Sequence, residues 1–332
     1  MLTKNELIGV IIFSMCFLLI LEIVYIKLAR KLNILDKPIS RSSHTEPTVL
    51  GGGFIFPIAF AVGGLLIEQY VLSILVLIIA FVGWLDDRKD LSVLIRLPLQ
   101  FLIVIWMVVD LELGFHFFYL PLIFILVVGW VNTFNFMDGI NGISTVYAFV
   151  MISSLLFVSA SKSNDEIIFL NHYLPWVIVL ISLALFTLFN FRKVAICFAG
   201  DVGSVSLAFV ISILFLKSWE DTESVYLILL PSVYAVDSVF TIFRRLIRKE
   251  NIFQAHRSHL YQLLSNELDW DHRITSLIYG LTQSIITLIA IHWVAEFSFM
   301  LQLCIIFAIY ILLIGLYFFS VNKVKRISSN NG

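Results

Sequence analysis

The sequence predicts an all-α fold: a polytopic membrane helical bundle of about 11 transmembrane helices, with the N-terminus outside and the C-terminus cytoplasmic. Three observations predict it. Of 332 residues, 60% are hydrophobic and only 14% charged, too little polar surface for a water-soluble domain of this length. Separate apolar runs approach or reach the roughly 20 helical residues that cross a hydrocarbon core, and helices are expected because strands would need a closed barrel. When these runs are threaded in order, nineteen of the 22 basic residues fall on one side, which the positive-inside rule makes cytoplasmic.

The runs lie at about 7–26, 50–67, 70–85, 97–111, 118–133, 143–159, 173–191, 202–217, 224–243, 274–293 and 298–320. The first is followed by IKLARKL rather than a small-residue cleavage site, so it reads as a retained helix and not a removed signal. Lys27, Arg30, Lys31, Lys37 and Arg41 follow it. The third, VLSILVLIIAFVGWL, is short and brings an acidic pair to the membrane surface or slightly below it; Arg88, Lys89 and Arg96 come next. Arg192 and Lys193 follow the seventh run. Arg244, Arg245, Arg248, Lys249, Arg257 and Arg273 follow the ninth, and Lys323, Lys325 and Arg326 the last; only Lys4, Lys162 and Lys217 fall on the other side. Residues 1–332 read as one integral-membrane domain whose largest soluble segment is the cytoplasmic loop at about 244–273. A net charge of −1 supplies no field for nucleic acid. The scattered Cys16, Cys197 and Cys304 form neither a disulfide framework nor a zinc knuckle.

The unusual polar residues all collect on the basic side: RSSHTEPTVLGGG (41–53), GWLDDRKD (83–90), NTFNFMDGING (132–142), FAGDVGS (198–204) and AHRSHLYQ (255–262). Acids at helix ends are commonly just solvated, but so many near lipid are costly without cations. If the third helix continues, Asp90 shares a face with Asp86 and Asp87. Asn132, Asn135 and Asp138 repeat every third residue, a polar stripe if helical, and Gly139 and Gly142 admit close backbone approach. The plain alternative there is a helix cap and turn. Asp201 opens a helix, either as its N-cap or beside a phosphate. Hard oxygen donors without Cys/His spacing favour Mg²⁺ or Mn²⁺, which sits between one or two carboxylates and substrate phosphates. His256, Arg257 and His259 suit phosphate or proton exchange, unless the loop merely meets anionic lipid. His44 with Gly51–Gly53 could equally be a loop entering a helix. Asp237, inside the ninth run, needs a partner, and Arg244 on the same face is the local candidate.

Taken together, these segments resemble the polyprenyl-phosphate N-acetylhexosamine-1-phosphate transferase superfamily (glycosyltransferase family 4), and within it the O-antigen-initiating branch. Asp86-Asp87 with Asp90 is similar to its DDxxD/N motif. Asn132, Asn135, Asp138 and Gly139 resemble NxxNxxDGxDG, Gly200, Asp201, Gly203 and Ser204 resemble GDxGS, and AHRSHLYQ resembles the His-containing loop. One departure is Asn141, where the family usually has Asp; another is a loop lacking contiguous histidines, which argues against a large peptidoglycan precursor.

The resemblance implies transfer of an N-acetylated sugar-1-phosphate from a UDP-sugar to undecaprenyl phosphate at the cytoplasmic face of a bacterial inner membrane, releasing UMP. It implies Mg²⁺ held by Asp201 with Asp138, phosphate contacts from His256, Arg257 and His259, substrate roles for Asp90, Asn132, Asn135, Gly139 and His44, and a homodimer. Asp86 and Asp87 position or deprotonate the acceptor, or one acts as a nucleophile. Asn141 is expected to read uracil through its amide, and Asp there should stay active. A transporter using intramembrane acids is the rival class.

Overall fold

The computed structural model describes residues 1–38, 43–114, 117–163, 165–252, 254 and 256–331; Arg41 and Ser42 of the 41–53 segment and Ala255 of the 255–262 loop lie outside them. The described chain is helical apart from one two-residue hairpin: α1 (Lys4–Lys31), β1 (Leu35–Asp36), β2 (Thr48–Val49), α2 (Ile55–Leu66), α3 (Tyr70–Lys89), α4 (Val93–Asp110), α5 (Leu120–Phe136), α6 (Ile143–Ala160), α7 (Glu166–His172), α8 (Leu174–Asn190), α9 (Gly200–Thr222), α10 (Ser232–Ile247), α11 (Leu260–Glu267), α12 (His272–His292) and α13 (Phe299–Asn331).

Every apolar run therefore contains a helix, but not every helix has spanning length. Among the described residues seven helices are long and apolar enough to cross a membrane, and α7 with α8, bent by 74°, makes an eighth. The short third run becomes one of the seven, α3, whereas α2 and α5 are apolar but shorter. The ninth run is broken: a 3₁₀ turn at Val225–Leu229 precedes α10. Gln283 of α12 bridges that break, accepting from Tyr147 Oη (2.7 Å) and Val233 N–H (3.1 Å) and donating to the Leu229 carbonyl (3.0 Å).

Helix α9 is the axis of the bundle. All its residues from Val202 to Leu214 are buried, as expected of a helix apolar on every side, and α2, α3, α5 and α6 surround it. Small residues let backbones close up at its start: a Cβ on Gly83 of α3 would lie 2.5 Å from the Asp201 carbonyl oxygen. That contact sets the acidic end of α3 against the first turn of α9. The β1–β2 hairpin pairs Leu35 with Val49, and Val49 bridges in parallel to Cys197, so residues 48–53 run beside the 197–200 segment that enters α9.

Candidate active site at the start of helix α9

Asp201 is not the N-cap of α9; Ala199 holds that position and offers no side-chain cap. The cap comes from α3. Asp87 accepts the Asp201 N–H at Oδ1 (3.0 Å) and the Val202 N–H at Oδ2 (3.3 Å), satisfying two of the amides that a helix start leaves open. Gly200 takes a left-handed φ of 70°, and the Asp87 carboxylate occupies the space a Cβ there would need. Asp86 turns the other way: its carboxylate pairs with Arg96 at 2.5 Å and accepts the Leu91 N–H at 2.8 Å, yet it stays near enough to interact with Asp201.

Asp90 does not join this group. The helix stops at Lys89, and Asp90 adopts φ 47° with its N–H on the Asp86 carbonyl. Asp tolerates this left-handed C-terminal turn, and its side chain is left exposed, whereas Asp86 is buried.

The 132–142 stretch divides in two. Asn132 and Asn135 are helical and tie α5 to its neighbours. Asn132 Nδ2 donates to Gln100 Oε1 at 2.8 Å, and Asn135 Nδ2 donates to Ser204 Oγ at 3.1 Å. Helix α5 ends at Phe136, so Asp138 leaves the stripe and sits in a turn. Burial pushes its carboxyl up to about 6; Ser144 opposes that shift and the charge of Asp87 adds to it. Asn141 is buried, and its Nδ2 is already committed to the carbonyls of Arg192 (2.8 Å) and Lys193 (3.3 Å). The expected uracil-reading amide is thus half spent on holding the 192–193 loop.

Asp237 is buried, but Arg244 is not its partner. Asp237 accepts from Tyr279 Oη (2.6 Å), Leu260 N–H (2.9 Å), Thr241 Oγ1 (3.2 Å) and Tyr261 N–H (3.4 Å). It caps the start of α11 as Asp87 caps α9. Arg244 instead donates to the Ser258 carbonyl (2.6 Å) and lies over the Tyr317 ring. This capping draws His259 inward: it is 1% exposed, 3.4 Å from Asp237 Oδ1 and stacked on His256. His259 is therefore buried between Asp237 and His256. Arg257 is exposed and His256 half-buried. Burial first, then the neighbouring His259 and Arg245, lowers His256 to about 4, so it is neutral near pH 7 and bonded to Ser258 Oγ at 3.0 Å. Tyr261 joins this loop to the Asp138 turn: its Oη donates to the Phe136 carbonyl at 2.9 Å, over Gly139. His44 lies edge-on to Phe198 and 3.8 Å from Asp36.

Sequence reasoning passes over Asn190. At the end of α8 its Oδ1 accepts the Gly142 N–H (2.7 Å) and its Nδ2 donates to the Cys197 carbonyl (2.9 Å). One buried amide therefore locks the 138–142 turn to the segment entering α9. Its signal is a lone Asn closing the apolar run LALFTLFN.

Among the described residues no three His, Cys, Asp or Glu side chains stand grouped as a metal cage. The donors do fit Mg²⁺, which takes one or two carboxylates and completes its shell with water and phosphate oxygens. Asp138, with its carboxyl displaced upward for want of water and a counter-charge, is the kind of ligand such a cation would relieve.

A sequence profile of glycosyl transferase family 4 matches residues 69–218, which contain α3, α5 and most of α9. The chain is similar, at 27% identity over 304 residues, to a protein of Bacillus subtilis (strain 168) named probable undecaprenyl-phosphate N-acetylglucosaminyl 1-phosphate transferase, covering 84% of this chain and 83% of that one. Proteins named undecaprenyl-phosphate alpha-N-acetylglucosaminyl 1-phosphate transferase are 26% identical in Salmonella typhi and 24% identical in Escherichia coli (strain K12), each match covering 98% of this chain and 92% of the relative. The matched segment holds the acidic end of α3, Asn135 with the Asp138 turn and the GDVGS start of α9, which the fold joins in one site, and these similarities support the polyprenyl-phosphate N-acetylhexosamine-1-phosphate transferase family for this chain.

Proposed function

We propose that the protein transfers an N-acetylated sugar-1-phosphate from a UDP-sugar to undecaprenyl phosphate, as the first step in building an O-antigen or related envelope polysaccharide. One observation carries this reading: Asp87 grips the first turn of α9, gathering acids on a helix start where phosphates are favoured. The relatives are named for the same lipid acceptor and for an N-acetylglucosaminyl 1-phosphate group, which supports it.

An oxygen of the acceptor phosphate attacks the sugar-bearing phosphorus of the donor. The bond from that phosphorus to the bridging oxygen breaks, and UMP leaves with the oxygen. The phosphate monoester has a second pKa of about 6, so near neutral pH the acceptor is already largely dianionic and no strong base is needed. Asp87, fixed by the α9 amides, and Asp86, fixed by Arg96, are suited to positioning the acceptor. Asp201 and Asp138 would hold Mg²⁺, or Mn²⁺, which when bound neutralises the diphosphate. Arg257, exposed at the loop surface, and neutral His256 would meet phosphate oxygens. The basic asymmetry of the sequence supports a cytoplasmic site in a bacterial inner membrane, with the N-terminus outside, and the family suggests a homodimer.

Purified protein supplied with UDP-N-acetylglucosamine, undecaprenyl phosphate and Mg²⁺ should release UMP only when both substrates are present. Release without the lipid, or none with any of a panel of UDP-N-acetyl sugars, would overturn the assignment.

A further inference from the structure

Glu22 is an acidic residue well inside α1 that the proposed chemistry does not use. It lies nine residues before Lys31, roughly 13 Å along the helix from its cytoplasmic end, and is 0% exposed. Its Oε1 accepts the Cys197 thiol at 3.3 Å. Its Oε2 has no hydrogen-bond partner among the described residues. Gly52 makes this meeting possible: a Cβ there would stand 2.8 Å from both Cys197 Sγ and Glu22 Oε1.

The location matters because Cys197 begins the backbone that enters α9. Phe198 N–H donates to the Val49 carbonyl at 2.8 Å, Gly52 N–H to the Phe198 carbonyl at 2.8 Å and Gly53 N–H to the Ala199 carbonyl at 3.0 Å. A little further on, the Asp201 and Val202 amides grip Asp87. Asn190 holds Cys197 through its carbonyl and Glu22 holds it through its sulfur. An ionised carboxylate here would lack both water and a cation, at a cost a membrane core does not tolerate, whereas an uncharged acid needs only modest partners.

We propose that Glu22 is a positioning residue of the transferase site, an uncharged acid clamped under Cys197 that sets the 197–202 backbone and, through it, the register of Asp201 against Asp87. This inference rests on the transferase reading for its kinetic test but not for its structural one.

The test uses the full chain in lipid nanodiscs with two substitutions. Glu22→Gln keeps the shape and an uncharged acceptor; Glu22→Met keeps the bulk and removes the acceptor. Hydrogen exchange of a peptide spanning 197–203 reads the positioning without substrate, and UMP release reads its consequence. Glu22→Gln should match the wild type in exchange and stay within roughly threefold in kcat. Glu22→Met should exchange at least about tenfold faster at 197–203 and lose roughly 100-fold in kcat, the penalty of a small misplacement, with KM little changed. Wild-type exchange and kcat in Glu22→Met would overturn the proposal. So would an equal loss in folded Glu22→Gln, which would mean that charge is required. Should Glu22→Met not be recovered folded, Glu22→Gln alone decides. If the wild type itself releases no UMP, the transferase reading fails while the exchange comparison still judges Glu22.

Discussion

Asp87 Oδ1 accepts the backbone N–H of Asp201 at 3.0 Å, so one acid of the site is anchored by the peptide group of another. The contact makes Asp87 a helix cap supplied from a different helix, and it links fold and chemistry in a way that mutation can separate. Asp87→Asn retains one acceptor oxygen and loses the charge. Turnover should fall roughly 100-fold, as for a misplaced or missing positioning group, with little change in thermal midpoint. Asp87→Ala removes the cap as well and should cost about 1 kcal/mol of stability in addition. Paired UMP-release and melting measurements check this; equal melting of the two variants would show that the cap contributes nothing.

Asp201 should be the main metal-holding residue. Asp201→Asn leaves the backbone N–H that donates to Asp87 and removes only the side-chain charge. The protein should fold normally and lose activity by orders of magnitude, while chelation of wild-type protein abolishes turnover and Mg²⁺ or Mn²⁺ restores it. Wild-type activity in Asp201→Asn at ordinary Mg²⁺ would contradict the assignment.

Asp237 is the one acid of α10, and its donors come from Thr241 on the same helix, from Leu260 and Tyr261 at the start of α11 and from Tyr279 of α12. Asp237→Ala would strand several of these donors, at about 1–3 kcal/mol for each one left buried and unpaired, and should unfold the 256–262 loop before the bundle. Asp237→Asn should be milder. Because Arg244 bonds the Ser258 carbonyl instead, a double-mutant cycle between Asp237 and Arg244 should give a coupling below about 0.5 kcal/mol. A coupling well above that would restore the direct ion pair.

Asp138 gives a pH signature. Its folded carboxyl is raised to about 6, chiefly by burial, so the folded state favours the protonated form. That stabilisation is complete below the ordinary carboxylate range and is lost as pH rises through about 6. In Asp138→Asn the amide is uncharged at every pH. With metal chelated, the melting temperature of wild type relative to Asp138→Asn should therefore rise as pH falls from about 7 to about 5. Saturating Mg²⁺ should flatten that difference. A difference that does not vary with pH would show that Asp138 titrates normally.

The bundle is legible because apolar runs and basic loops report directly on the bilayer, and the same pattern assigns the acids at the end of α3, just after α5 and at the start of α9 to one face. What cannot be read depends on pairing across the chain. The bridge from Val49 to Cys197 holds residues 48–53 beside the entry to α9 and leaves α2 only Ile55–Leu66. Helical spacing assigns Asp90 to the face of Asp86, but a left-handed turn ends the helix one residue earlier. The same spacing selects Arg244 for Asp237, whereas three of the four donors come from α11 and α12, far along the sequence. Glu22 is visible as the only acid between Ile8 and Lys27, but its meaning depends on Cys197, 175 residues away.

Asn141 supplies the last prediction, and here the structure changes the expectation. From sequence, an Asp at this position should remain active, because either side chain can accept a hydrogen bond from uracil. In the structure the Asn141 Nδ2 donates to the Arg192 and Lys193 carbonyls, its N–H approaches His272 Nδ1 at 3.5 Å, and its carbonyl accepts from Ser276 Oγ at 2.9 Å. The residue is a buried tie between the 138–142 turn, the 192–193 loop and α12. Asn141→Asp would replace the two donated bonds with a carboxylate facing two carbonyl oxygens, and buried acceptors left facing each other are costly. Asn141→Asp should therefore raise the KM for the UDP-sugar and lower the melting temperature. Asn141→Ala loses the same bonds without the repulsion and should be the milder change in stability. If Asn141→Asp instead keeps wild-type KM and melting temperature, the loop is held by other contacts, and the amide is free to meet the nucleotide as the sequence suggests.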